Sequence, residues 1–256
     1  MAEQKITIKP KESFKIPVDG YLIGPDNMAG KSADDIKAME TWHGNQVVSL
    51  GSLFDITVDG SAGPEDTTIT LEGDFSRVKR IGSGMGNGKI IVNGDVDMHC
   101  GAVMSGGTIV VNGNADSWAG REMNDGELVI EGNAGDYVGS AYRGETIGMK
   151  GGKITVKGNV GDYVGDHMSG GEIEVGGDAG LLAGLNMTGG SITIEGNADL
   201  PGAEMTNGTV MVKGTVVDML PSFKLEGSES IGSTEFKKYT GDLAVRGTGK
   251  GTLYVK

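Results

Sequence analysis

Between residues 82 and 214, apolar and polar residues alternate in short bursts that return at a fixed interval. The alternating pairs are Ile90 and Val92, Ile109 and Val111, Leu128 and Ile130, Ile154 and Val156, Ile173 and Val175, Ile192 and Ile194, and Val210 and Val212. A period of two places each pair on one face of a strand, and side chains of this kind suit a pleated surface. The pattern predicts seven short strands, each with one buried face.

Glycine marks the same interval. Seven times the chain reads GxxMxxGx[ILV]x[IV]xG, at 82–94, 101–113, 120–132, 146–158, 165–177, 184–196 and 202–214, with Thr146 the one departure at the leading glycine. The central glycines, Gly88, Gly107, Gly126, Gly152, Gly171, Gly190 and Gly208, are spaced 19, 19, 26, 19, 19 and 18 residues apart. Nineteen residues hold too little chain for a strand and a helix with full elements, but enough for a coil of short strands. The repeat therefore predicts an all-β fold, a right-handed parallel β-helix (solenoid) of about 19-residue coils, stacked about 4.8 Å apart. Asp95, Asn114, Asn133, Asn159, Asp178 and Asn197 each follow a glycine and are expected to close Asx turns at the corners.

One methionine stands three residues before every central glycine: Met85, Met104, Met123, Met149, Met168, Met187 and Met205. A thioether row could hold a soft metal such as Cu(I), but no cysteine or histidine joins it, so a stack of flexible core side chains is expected. Flanking segments should cap the coil ends, whose sheet edges would otherwise stay unpaired. The organisation expected is an N-terminal cap with degenerate coils over 1–81, the β-helix over 82–214 and a C-terminal cap over 215–256. In the first, Ser32 and Asp35 form a capping box for a helix carrying Ile36, Met39 and Trp42 and ending at Gly44, while Ile56–Val58 and Ile69–Leu71 are degenerate coils. In the last, Leu220, Phe223, Leu243, Leu253 and Tyr254 are the anchors.

Composition sharpens this picture. Glycine supplies 47 of 256 residues, which excludes a helical bundle, because each interior glycine costs about 1 kcal/mol relative to alanine. With 22 basic against 35 acidic residues the net charge is −13, which opposes nucleic acid and anionic membranes as partners. No apolar run approaches the roughly 18 residues of a spanning helix, and MAEQKITIKPKESFK lacks a signal-peptide stretch, so a cytoplasmic protein is expected. Cys100 is the single cysteine; it excludes an internal disulfide and cannot alone make a zinc or iron–sulfur site.

Candidate chemistry is sparse. GSGMGNGKI at 82–90 fits neither a dinucleotide fingerprint nor a phosphate loop, and a strand follows where a helix is needed. His99 beside Cys100 suggests base and nucleophile, yet neighbours on extended backbone point to opposite faces. Asp136 and Asp162 would lie about 5 Å apart on stacked coils, the separation of a retaining glycosidase, but equivalent turn positions produce the same ladder. No catalytic, cofactor-binding or metal-binding residue is expected on this chain.

Two irregularities point to an interface. The 26-residue interval inserts seven residues between Gly139 and Met149, in a loop carrying Tyr142, Arg143 and Glu145, residue types suited to anchoring a partner. The outward position of each strand is Thr155, Glu174, Thr193 and Met211 in the last four coils but Ile91, Val110 and Val129 in the first three. Such an apolar stripe is expected to be covered by another chain or by the folded-back N-terminal segment.

These repeats, together with GNAGDYVG, GNVGDYVG, WHGNQVVSLGSLFDI, MLPSFK and GDLAVRGTGKGTLYV, resemble the C subunit of formylmethanofuran dehydrogenase over almost the whole chain. The repeats alone are also shared with the C-terminal domain of the glutamate synthase large subunit and with the C subunit of the formyltransferase/hydrolase complex. The resemblance implies a non-catalytic structural subunit of the oxidoreductase complex that reduces CO2 and attaches it to methanofuran as formylmethanofuran in methanogenesis. Its implied partners are a tungsten- or molybdenum-pterin subunit, an amidohydrolase-like subunit with a binuclear metal site, and ferredoxin-type subunits with iron–sulfur clusters. The alternatives are the C subunit of a formyltransferase/hydrolase complex, a free-standing glutamate-synthase-type domain, or a β-helix enzyme acting on polysaccharide.

Overall fold

The computed structural model describes residues 3–244 and 249–256. Strand β1 (Gln4–Pro10) and the two-residue β2 (Val18–Asp19) precede short helices α1 (Pro25–Met28) and α2 (Ala33–Ala38). Next come the hairpin strands β3 (Glu40–His43) and β4 (Gln46–Ser49), helix α3 (Leu50–Leu53), β5 (Phe54–Gly60), β6 (Thr67–Glu72) and β7 (Val78–Lys79). The repeats supply β8 (Lys89–Asn93), β9 (Ser105–Val111), β10 (Asp125–Ile130), β11 (Lys153–Val156), β12 (Glu172–Val175), β13 (Ser191–Ile194) and β14 (Thr209–Val212). The last three strands are β15 (Lys224–Ile231), β16 (Thr234–Gly241) and β17 (Gly251–Val255).

Thirteen of these strands form one mixed sheet, in the order β15-β16-β17-β14-β13-β12-β11-β10-β9-β8-β6-β1-β5. The run from β1 through β6 and β8 to β14 and on to β17 is parallel, and equivalent residues face one another: Ile90 pairs with Ile109, Ile109 with Leu128, Leu128 with Ile154. A second line of parallel bridges, Phe75–Val96–Ala115–Ala134–Val160–Ala179, joins the same units after their next turn. Both ends of the sheet are antiparallel, β5 on β1 and the β15–β16 hairpin on β17.

All fourteen aliphatics of the alternating pairs are at most 1% exposed, and the seven methionines at most 2%. Six of the seven methionines, all but Met104, place their methyl in space that a glycine of the following strand leaves by having no side chain. A Cβ on Gly171 would lie 2.7 Å from the methyl of Met149, and one on Gly190 the same distance from that of Met168. Gly171 also has φ +85, so the position excludes other residues twice, by conformation and by space.

The Asx residues act differently from expectation. Instead of closing turns within their own unit, they bond the next one. Asp95 Oδ1 accepts from the amide of Asn114 at 2.7 Å, Asn114 from Asn133 at 2.8 Å, Asn133 from Asn159, Asn159 from Asp178, Asp178 from Asn197 and Asn197 from Thr215. The amide one strand spacing away needs an acceptor, and a side-chain oxygen supplies it. This explains the glycine before every Asx after Asp95: a Cβ on Gly113 would lie 2.5 Å from Asp95 Oδ1.

The flanks follow the reading in part. The Ser32–Asp35 capping box is present, with the Asp35 amide donating to Ser32 Oγ at 3.2 Å. The helix, however, ends at Ala38. Trp42 lies on β3, paired with Val47 across a turn at Gly44 and Asn45, because Thr41 is buried and Trp42 faces outward in strand alternation. Ile69–Leu71 lies on β6, parallel to the repeats, whereas Ile56–Val58 lies on β5, antiparallel to β1, and so is not a degenerate parallel coil. At the other end Phe223 and Leu253 are buried but Leu243 is 48% exposed. Residues 245–248 of the GDLAVRGTGKGTLYV motif fall outside the described residues.

The Asx ladder makes a specific prediction. Asn159→Ala removes the acceptor for Asp178 and should cost about 1 kcal/mol in urea unfolding, while Asn159→Asp keeps an oxygen there and should lose less than half as much. Equal losses in the two variants would show that the inter-unit bond contributes nothing.

Candidate functional site: an aromatic column under the inserted loop

Two residues before each leading glycine, the chain repeatedly adopts left-handed backbone at a residue with a side chain. Arg80, His99, Trp118, Tyr137, Tyr163, Leu182 and Leu200 have φ of 63, 67, 60, 62, 63, 61 and 48. Non-glycine residues pay about 1–2 kcal/mol for this conformation. What it gains is a bond along the stack: the amide of His99 donates to Ser117 O at 3.0 Å, that of Trp118 to Asp136 O at 2.8 Å, and that of Tyr137 to Asp162 O at 2.8 Å. In-register stacking then superposes the side chains. His99 stacks on Trp118 with centroids 5.4 Å apart, Trp118 on Tyr137 at 4.9 Å and 5°, and Tyr137 on Tyr163 at 4.9 Å and 7°.

The seven-residue insertion lies against this column. The usual short turn closes with a bond from the methionine amide to the leading glycine, as in Met123 to Gly120 and Met168 to Gly165; in the fourth unit Met149 donates to Gly139 O at 2.9 Å. Gly139, with φ +67, is therefore the leading residue of that unit, and Thr146 is an exposed loop residue. Spacing along the sequence puts Thr146 at that place because the insertion follows the turn glycine instead of preceding it.

Within the loop, Tyr142 meets His99 and Trp118 edge-on at 5.6 and 5.9 Å, and its amide donates to Glu122 Oε1 at 3.2 Å. The Arg121 guanidinium lies 4.8 Å from the Tyr142 centroid, and that of Arg143 lies 5.4 Å from Trp118. Arg121 also pairs with Glu122 and donates through Nε to His99 Nδ1 at 3.2 Å, which leaves the ring proton on Nε2. Tyr142, Arg143 and Glu145 remain exposed, as does Ile147, and the Glu145 amide closes the loop on Tyr142 O at 2.9 Å.

The other three interface candidates lie on a different element. Ile91, Val110 and Val129 pair in line across β8, β9 and β10 and are half-buried. Of the N-terminal segment, β1 does not lie over them; it extends the sheet edge-on beside β6. The segment that does curl over the outer face is the C-terminal hairpin, and it covers the polar half. Ile231–Thr234 and Phe236 wall a groove of about 880 Å³ floored by Thr155, Glu174, Thr193 and Met211.

His99 and Cys100 face apart as expected. Burial, followed by the nearby charges of Arg121, Lys79 and Arg80, pushes His99 down to about 4. Cys100 is in the core, and burial pushes its thiol up to about 12. Asp136 Oδ1 accepts from the Asp162 amide at 2.9 Å and Asp162 Oδ1 from the Leu181 amide at 2.8 Å, so both continue the inter-unit ladder. Among the described residues, no three His, Cys, Asp or Glu side chains gather where they could hold a metal ion, and no helix is long and apolar enough to cross a membrane. Sequence reasoning missed His99, Trp118, Tyr137, Tyr163 and Arg121 as a group, although the first four occupy one phase of the repeat.

No family model matches the chain. Among curated proteins it is 46% identical over 224 residues to the C subunit of a tungsten-containing formylmethanofuran dehydrogenase 2 from Methanococcus maripaludis, covering 87% of this chain and 81% of that one. It is 45% identical over 98 residues to the corresponding tungsten-type subunit of Methanothermobacter wolfeii, a stretch that spans 38% of this chain and only 36% of that relative. The C subunit of a molybdenum-containing formylmethanofuran dehydrogenase 1 from Methanosarcina barkeri is 43% identical over 99 residues, 39% of this chain and 32% of the relative. Among solved structures, a chain of the formyltransferase/hydrolase complex from Methylorubrum extorquens, determined with methylofuran, is similar with TM-score 0.87 and 30% identity, covering 97% and 98% of the two chains.

The depressed titration of His99 can be read from Trp118, against whose ring it stacks. In a Trp42→Phe background, imidazolium quenching of the remaining tryptophan should appear with a midpoint near pH 4; a midpoint near 6.5 would contradict the buried, cation-flanked setting. Between pH 6.5 and about 4 the unfolded chain takes up a proton that the folded chain refuses, so this group's contribution to stability should fall as pH falls through that window.

Proposed function

Because this chain belongs to the family of formylmethanofuran dehydrogenase C subunits, we propose that it is the structural subunit of such a complex and has no active site of its own. The complex would reduce CO2 and attach it to methanofuran, with this chain holding the catalytic neighbours in place in the cytoplasm. The observation that carries the reading is the 46% identity over 224 residues, which includes flanks as well as repeats. We read the architecture as a right-handed parallel β-helix over 82–214 with caps over 1–81 and 215–256. In-register parallel strands, the second line of bridges and the packed methionine row support it.

The chemistry is assigned to partners: a tungsten- or molybdenum-pterin subunit, an amidohydrolase-like subunit with two metals, and ferredoxin-type subunits with iron–sulfur clusters. This chain's own donors fit that division, since its one thiol is buried and held far from the thiolate form that metals bind. The Tyr142–Arg143–Glu145 loop is the docking element we favour, because its exposed Tyr and Arg are held by the aromatic column and lose little freedom on binding. The half-buried Ile91–Val110–Val129 stripe is a second contact.

A specific observation favours one other reading. The fold similarity at TM-score 0.87 and 30% identity is to a formyltransferase/hydrolase complex, so the same scaffold would serve formyl transfer without a redox partner. Affinity purification of the chain from native cells, with metal analysis, separates the two. Recovery with a pterin protein containing tungsten or molybdenum supports the dehydrogenase, recovery with formyl-transfer partners and no pterin supports the second reading, and a lone monomer overturns both. The double variant Tyr142→Ala, Arg143→Glu should lose at least about tenfold in partner recovery with its melting temperature changed by less than about 3 °C.

A further inference from the structure

At its lower end the aromatic column opens into a pocket. The cavity, about 420 Å³, is lined by Pro17, Val18, Asp19, Trp42, Gly44, Lys79, Arg80 and His99. Its volume falls within the range of small-molecule sites. Two flat rings wall it: Trp42 is 49% exposed, and His99 has Trp118 stacked along the column. Pro17 and Val18 add apolar surface.

The charge in this pocket runs against that of the molecule. Although the chain carries −13 overall, the lining offers two cations and one carboxylate. That carboxylate is committed, because Asp19 accepts from Arg80 through both oxygens, with the Arg80 Nε bond at 2.9 Å. Arg121 is likewise paired with Glu122. Lys79 is left as a lining cation with no carboxylate partner among the described residues. After burial, which acts most strongly on His99, it is one of three cations that disfavour the protonated ring, and a neutral His99 with its proton on Nε2 is a hydrogen-bond donor.

An uncompensated ammonium beside two flat rings and an apolar floor selects for one chemistry. We propose that this pocket binds a carboxylate carried next to an aromatic ring, with Lys79 pairing the carboxylate and Trp42 and His99 flanking the ring. The same group can arrive as a free aromatic acid or as the C-terminal aromatic residue of another chain.

The test uses the full-length protein labelled with ¹⁵N-tryptophan, whose two indole signals are assigned with Trp42→Phe. Phenylacetate represents the free acid, and the peptide Gly-Gly-Phe the chain terminus; phenylacetamide and the amidated peptide are their neutral counterparts. At least one acid should shift the Trp42 indole signal saturably, with both amides weaker by about tenfold or more, and the affinity should fall as ionic strength rises from about 0.01 to 0.15 M. Whichever acid binds more tightly identifies the source. Lys79→Gln should weaken binding by about tenfold, and Lys79→Arg should restore it to within about threefold. Unliganded indole signals matching the parent's establish that both variants are folded. The proposal is overturned if neither acid shifts Trp42, if acid and amide bind alike, or if Lys79→Gln binds as the parent does.

Discussion

Every feature of this molecule depends on one unit lying on the next in register, a single strand spacing away. Parallel pairing of equivalent residues fixes that register through β6 and β8 to β14 and on to β17. Once it holds, each side chain meets its own counterpart, and each phase of the repeat must tolerate self-contact. Aliphatics stack on aliphatics, rings stack on rings at 4.9 Å, and the methionine methyl needs a bare backbone above it. Charged phases meet the same demand, as when Lys153 bridges to Glu172 and Glu174 on the neighbouring strand.

Where sequence reasoning succeeded, the signal was one of phase. The buried strand pairs, the methionine row and the Ser32 capping box each depend on a short pattern whose geometry is local. It failed where geometry depends on the neighbour. Asn159 looks like any turn asparagine until the next unit's amide is placed beside it. Trp42 matches helical spacing after Ile36 and Met39, but a strand competes successfully because β3 finds both β2 and β4 to pair with. Thr146 aligns with the glycines only when the loop is counted from its far end.

The column illustrates how a site can be hidden in a repeat that is plainly visible. His99, Trp118, Tyr137 and Tyr163 differ in type, so no motif unites them, yet they share a phase, a left-handed backbone and an amide bond to the following unit. A repeat sets the backbone and leaves such positions chemically open. Arg80 and the two leucines at Leu182 and Leu200 occupy the same phase, which confines the aromatic surface to the middle of the stack, where the inserted loop reaches it.

The bond from Met149 to Gly139 closes ten residues of chain at the place where its neighbours close three. Because the two ends meet across one hydrogen bond, the added residues leave the closure of the turn unchanged, while Ala141 and Gly148 still bond the next unit at Asp166 and His167. Loop-closure entropy rises only slowly with length, so this turn is a graft point at which surface chemistry changes independently of the core. Other units carry the same turn, from Gly82 and Met85 to Gly202 and Met205. A scaffold of this kind acquires partners by lengthening a turn and changes its length in whole units, so that the two kinds of change remain separable.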